Sequence, residues 1–331
     1  MIDVPWFEDF SVGDDLSDVP SVTITDGYTA IHQSVFGDRS RLPVDLPLCS
    51  RVTGQSRALV NPSLVCNVAI GQSTIPTQRV LGNLFYRGLR FHRPVFVGDT
   101  LTTTTRVVAL RQNTIKPGRA ASGMVGLEMH VVNQQGDTVM LFWRCPMVPC
   151  RDENADTGHQ DDLSIMPEHI DTSDLVGSVP DWQFDLLPSG KVDFSVGQVV
   201  PVEARDTVTS APEIVRLTLN LAMTHTDSQR GAYNKRLVYG GHTISMAAAQ
   251  LSKVLPGLAT ILCWYKCDHT APVFEQDILR SVITVTDEIK LPNAKILNLA
   301  IDVFAERGNE APEPGNDIRV LDWHLAVVVR N

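Results

Sequence analysis

RLVYGGHTISMAAAQLSKVL, residues 236–255, is the stretch that decides the fold. From His242 to Leu255 it has helix length, and Ala247, Ala248, Ala249 and Leu251 leave it little polar surface. Such a helix is expected to be buried all round rather than laid amphipathically on a surface. NPSLVCNVAIGQ (61–72) is a second mostly apolar segment of helix length.

The two helices sit inside an internal repeat. Phe10-Ser11-Val12-Gly13 recurs as Phe194-Ser195-Val196-Gly197, an offset of 184, and Pro94-Val95-Phe96 with Asp99 and Leu101 recurs as Pro272-Val273-Phe274 with Asp277 and Leu279, an offset of 178. Before each buried helix lies another. In TDGYTAIHQSVFG (25–37), Thr25 or Asp26 is placed to cap and Gly37 to stop. In the second half Ser210 and Glu213 form a capping-box pattern with Pro212 in the first turn, and apolar spacing carries the helix to Met223. After each buried helix come β-branched runs bounded by Gly, Asn or Pro: LTTTTRVVAL (101–110) and the hairpin-like 123–148, then 281–291, 294–306 and 318–330. The expectation is an α+β protein, two antiparallel sheets each wrapped around a long buried helix. The halves are 1–150 and 191–331, joined by an acidic linker, 151–190, draped over the surface.

The chain has 331 residues, enough for two domains of about 100 to 200 residues each. A formal charge of -10 argues against nucleic acid as a partner. No run of 18 apolar residues and no leader-like start appear, so a soluble cytoplasmic protein without a membrane partner is expected, with homo-oligomer formation left open. Six cysteines spread over the chain are read as reduced thiols. Cys263 and Cys267 in LCWYKCDHT have no second ligand pair at zinc-like spacing, so neither metal nor cofactor is expected.

The order of capped helix, polar-x4-His loop, Gly-Gly-His, buried helix and P-V-F-x-x-D strand entry resembles the MaoC-like acyl dehydratases, whose fold is the hot dog. FEDFSVGD (7–14), GDRSRLPVD (37–45), RLVYGGHTIS (236–245) and HTAPVFEQD (269–277) are most similar to the mesaconyl-CoA hydratases, which are double hot dogs. The resemblance covers nearly the whole chain except the linker. It implies an acyl-CoA thioester as substrate and water addition to a 2-enoyl-CoA. In the family an Asp and a His four residues apart activate the water. The matching positions are Asn220 and His225 in the second half and Asp38 and Pro43 in the first. The second half is therefore expected to carry the active site and the first to be catalytically degenerate.

Hydration needs a base for the water proton, an acid for the α-carbon and donors for the enolate oxygen. His225 is the candidate base and then acid. Asn220 does not ionise; its amide oxygen can accept from the water and its NH2 donate to it. The resemblance gives the Gly241 N–H the thioester oxygen, while Gly240-Gly241 also fits a simple tight turn. Lys235 and Arg236, with Arg230, are candidates for the CoA phosphates, or a solvated basic loop; Tyr239, Gly240 and His242 complete the expected binding set. A carboxylated substrate would want a buried cation, and which of Arg87, Arg90, Arg93 and others faces the tunnel is open. The rival readings are a hot-dog thioesterase, against which HTISMAAAQL offers no carboxylate, and a non-catalytic acyl-CoA-binding partner protein.

Overall fold

Asn61 caps one buried helix through its Oδ1, which accepts from Ser63 N at 2.8 Å, with Pro62 in the first turn. That helix is α4 in a computed structural model that describes residues 4–190, 192, 194–231, 233–307 and 317–331. Residues 1–3, part of the chain start considered above, lie outside the described residues. The helices are α1 (Asp26–Phe36), α2 (Arg41–Val44), α3 (Leu46–Thr53), α4 (Pro62–Gln72), α5 (Thr172–Gly177), α6 (Ala211–Leu217) and α7 (Gly240–Val254). The strands are β1 (Val22–Thr23), β2 (Gly82–Phe91), β3 (Thr100–Gln112), β4 (Ser122–Val132), β5 (Thr138–Pro149), β6 (Val199–Pro201), β7 (Asp206–Thr207), β8 (Leu258–His269), β9 (Ile278–Lys290), β10 (Ala294–Glu306) and β11 (Ile318–Arg330).

The two expected sheets are joined into one. Among the described residues it has 11 strands in the order β1-β3-β4-β5-β2-β8-β11-β10-β9-β6, with β7 on β9. The seam is β2 against β8, antiparallel, with Tyr86 opposite Cys267 and Leu89 opposite Trp264. Each half covers the other's open edge with its equivalent strand, which leaves neither edge to pair with foreign chains. The buried helices meet in the same like-to-like way: Asn67 Nδ2 of α4 donates to Ser245 Oγ of α7 at 2.9 Å, and these positions are themselves 178 apart.

The repeat is also a repeat of bonds. Gln72 Nε2 donates to Leu101 O at 2.9 Å and Gln250 Nε2 to Leu279 O at 3.0 Å, so each helix end is tied to its own strand through a buried amide. Asp99 and Asp277 each accept the backbone N–H of the Phe three residues earlier, at 2.9 Å. One turn differs: Gly98 holds φ 98, while Gln276 stands at the matching place with φ 76, where a side chain is strained.

Two expectations change. α6 stops at Leu217 rather than running to Met223, because Leu219 turns into the left-handed region at φ 57. Ser210 is the N-cap residue but is itself left-handed and makes no side-chain cap bond, so the capping box does not form. The linker is more than a surface strap. Leu175, Trp182, Phe184 and Leu187 are buried with Ala259, Leu262, Ile296 and Val328 in a second apolar cluster, and each large side chain contributes about 1.5–3 kcal/mol. No helix among the described residues is long and apolar enough to cross a membrane.

Candidate active site

A cavity of about 260 Å³ opens where the halves meet. Asn220, His225, Tyr239, Gly240 and His269 line it from the second half, and Thr74, Tyr86 and Arg144 from the first. Among the described residues its lining contains neither Asp nor Glu.

The loop that carries Asn220 and His225 is held by the other half. Leu221 N donates to Thr74 Oγ1 at 3.0 Å and Met223 N to Gln78 O at 2.9 Å. Gly71 lets the loop approach α4: a Cβ there would stand 1.8 Å from Thr218 O. The first half's loop is held reciprocally, with Arg39 N donating to Ser252 Oγ at 2.9 Å. At its matching place, however, Asp38, Ser40 and Pro43 face a cleft of only about 10 Å³.

His225 Nδ1 lies 2.8 Å from Leu237 O. A carbonyl only accepts, so Nδ1 carries the proton and Nε2 is left as a bare lone pair. Burial lowers this imidazole to about 4; the Leu237 carbonyl works the other way and the Arg144 charge adds to the lowering. The ring is neutral at pH 7. Asn220 Oδ1 accepts from Ala222 N at 2.9 Å, as Asp38 Oδ1 accepts from Ser40 N at 2.7 Å. The amide oxygen expected to accept from water is thus already bonded to backbone, and the NH2 is the arm left to donate.

At the start of α7 the first-turn amides of Gly240 and Gly241 have no carbonyl one turn behind them and sit at the positive end of the dipole. Gly240 lines the cavity, whereas Gly241 does not. Both are glycine for space rather than as a tight turn. A Cβ at 240 would meet the His269 ring at 2.6 Å, and one at 241 would meet Asn67 Oδ1 at 2.1 Å. His242 is likewise outside the lining: it packs on Phe36 at 4.9 Å between ring centroids, near His32. Lys235 and Arg236 lie in a separate outer depression with Asn234, Phe274 and Glu275. Arg236 pairs with Glu275, and Lys235 Nζ stands 5.7 Å over the Phe274 ring.

Two residues had no assigned role in the sequence reading. His269, inside the quoted HTAPVFEQD, is lowered to about 4 by burial, and its buried Nε2 has no partner among the described residues. Arg144 is buried with an unpartnered Nε. The Tyr239 hydroxyl is also unpartnered. Cys263 and Cys267 are buried in β8, where burial pushes the Cys263 thiol up to about 12 and raises that of Cys267 as well.

Comparisons with known proteins support this architecture. A model of the FAS1-like dehydratase domain region matches residues 42–142. The β-methylmalyl-CoA dehydratase of Chloroflexus aurantiacus is 30% identical over 87% of this chain and 83% of its own length. The chain belongs to the MaoC-like dehydratases. Mesaconyl-CoA hydratase of Cereibacter sphaeroides is 27% identical over 93% of this chain and 90% of its own. Among solved structures, Rv0216 of Mycobacterium tuberculosis, described as a double hot dog, superposes with a TM-score of 0.88 at 42% identity over 98% of each chain. A MaoC domain dehydratase from Chloroflexus aurantiacus gives 0.83 at 26% identity over 100% of this chain and 99% of that one. This MaoC-like dehydratase is accordingly a double hot dog and a hydro-lyase, placed at family level among the acyl-CoA hydratases and dehydratases.

Proposed function

We propose that the cavity hydrates a short 2-enoyl-CoA reversibly, with mesaconyl-CoA or another short branched enoyl-CoA as substrate, and that the second half supplies the reacting groups. The observation that carries this is a neutral imidazole with its free lone pair in a cavity at a helix N-terminus whose described lining holds no carboxylate. Asn220 holds a water by donating from its NH2. His225 Nε2 takes a proton from that water as its oxygen bonds to C3, and the C2=C3 π electrons move to C2 and the thioester oxygen. The α7 amide at Gly240, which faces the cavity, donates to that oxygen. His225, now imidazolium, returns the proton to C2, so the proton count balances. A ring whose acidity is raised by burial is free as a base at neutral pH and gives the proton back readily. His269 and Tyr239 position the acyl thioester, while Lys235 and Arg236 meet the CoA phosphates at the outer depression.

His225→Ala is expected to lose about 10²- to 10⁴-fold in turnover of an enoyl-CoA, followed as loss of enoyl absorbance, with its circular dichroism retained. Undiminished turnover would discard the assignment. Release of free thiol in place of hydration would instead identify a thioesterase. The carboxylate-free lining counts against that outcome.

A further inference from the structure

The first half supplies the cavity with a charge that no carboxylate among the described residues neutralises. Arg144 stands in β5 with 3% of its surface exposed. Its Nη2 donates to Ser73 O at 2.5 Å and to Thr77 Oγ1 at 3.2 Å, both just beyond the end of α4. Those acceptors are neutral and engage one arm of the guanidinium. Among the described residues the Nε has no partner, and the titratable groups acting on the charge are Tyr86, Tyr239 and Cys145, none of them a carboxylate. An isolated cation is costly to bury unless it meets an anion.

The other arginines considered for a buried cation are already spent on the protein's own acids. Arg87 pairs with Glu168 at 2.6 Å and Asp268 at 2.5 Å, Arg90 with Asp174 at 3.0 Å, and Arg93 with Asp137 at 3.0 Å. None of these three lines the cavity. The charge also breaks the repeat. Tyr86 pairs across the sheet with Arg144, whereas Trp264, 178 residues on, pairs with Leu325. A residue needed only to build the fold would have no reason to be cationic in one copy and apolar in the other.

We propose that Arg144 is the specificity residue of the cavity and binds a carboxylate on the acyl group of the substrate, so that the enzyme selects CoA thioesters of dicarboxylic acids over uncharged acyl-CoAs. This rests on the reading of the cavity as an acyl site. A cavity of about 260 Å³ suits a short acyl chain and excludes the nucleotide end of CoA, which leaves the acyl carboxylate as the anion. Planar two-point recognition of a carboxylate is what a guanidinium does best.

The test is calorimetric binding of two saturated thioesters that carry the same CoA phosphates, succinyl-CoA and butyryl-CoA, to the whole protein. Wild type is expected to bind succinyl-CoA about 10-fold or more tightly than butyryl-CoA, and Arg144→Met to weaken succinyl-CoA by about 30-fold or more, taking the ratio towards one. Arg144→Gln keeps a donor for the Ser73 carbonyl without the charge and is expected to lose the same preference; it answers the question should the Met variant fail to fold. Equal binding of the two ligands by wild type, or a preference that survives in a folded Gln variant, would overturn the proposal. Enoyl-CoA turnover by wild type, measured separately, bears on the hydratase reading alone. A hydratase with no succinyl preference keeps that reading and loses this one.

Discussion

The two halves make the same bonds and different cavities. Gln72 and Gln250 tie helix to strand, Asp99 and Asp277 close the strand entry, and Thr74 and Ser252 each hold the loop of the opposite half. Around these fixed points the second half's loop presents Asn220 and His225 to a cavity of about 260 Å³, while the first presents Asp38 and Pro43 to a cleft of about 10 Å³. At the places of His269 and Arg144, the other copy carries Phe91 and Leu325. A duplicated fold can therefore give up chemistry in one copy without loosening it, because the groups that build the loop differ from the groups that fill it. The open cavity in turn depends on the other copy for Arg144 and for the hydroxyl that fixes its loop.

The sharpest way to break this comparison is to put a base back into the closed copy. With His225→Ala as background, Pro43→His is expected to restore no turnover of an enoyl-CoA, because a cleft of about 10 Å³ has no room for an acyl group. The deficit should remain at about 10²- to 10⁴-fold in the absorbance assay. Recovery would mean that the first half keeps a usable site.

A second test exploits the close approach at Gly71. Ala249 is its counterpart in α7, so the second helix carries a Cβ where the first has none. Gly71→Ala would press that Cβ to 1.8 Å from Thr218 O, against backbone that has no rotamer to escape into. It should cost about 1–3 kcal/mol or more in a denaturant titration. Ala249→Gly, which adds helix flexibility worth about 0.5–1 kcal/mol and removes a buried methyl worth about 0.8 kcal/mol, leaves the backbone unstrained and should cost less.

Thr74 and Ser252 allow a finer version. Thr74→Val leaves Leu221 N without its acceptor, a loss of about 1–3 kcal/mol that falls on the loop carrying His225. Turnover should drop along with stability. Ser252→Ala removes the matching bond to Arg39 N on the closed side and should lower the melting temperature without a comparable fall in turnover. Equal effects on turnover would show that both loops serve the reaction.

The sequence carries the repeat openly because its anchors are side chains that bond at short range, such as Asp99 to Phe96 N. Buried helices declare themselves through composition, as in Ala247–Ala249. What it hides depends on partners far away in the chain. The β2–β8 seam is two strand edges that happen to match, and nothing in either strand announces it. Leu219 at φ 57 ends α6 for the sake of a loop that Thr74 and Gln78 hold from the other half. Arg144 looks like any arginine in a strand, since its meaning lies in the absence of a carboxylate around it among the described residues. His269 lies inside a recognised motif, yet only its unpartnered Nε2 in the cavity singles it out. Gly241, read as the exposed donor, is glycine because Asn67 and Tyr239 press on it, and Gly240 is the one that faces the cavity.

The smallest expected effect is a flat pH profile. His225 and His269 in the cavity and His32 and His242 where α1 meets α7 are all lowered to about 4 by burial. A free imidazole titrates near 6.5, so a catalytic base of ordinary pKa would lose about fourfold in kcat/KM on going to pH 6. With His225 near 4, kcat/KM should stay level from pH 7.5 to pH 6. Stability behaves differently over the same range. Above pH 6.5 the four rings are neutral in both folded and unfolded chains. Below it the unfolded chain takes up protons that the folded one refuses, so stability is lost progressively from about pH 6.5 down to about 4. Denaturant midpoints should therefore fall with acid before kcat/KM does. Replacing His32 by Phe removes one of the rings that lie outside the cavity, which should flatten the fall in midpoint and leave the kcat/KM profile as it was. A profile that bends near pH 6.5 would place the working base in water rather than in the cavity.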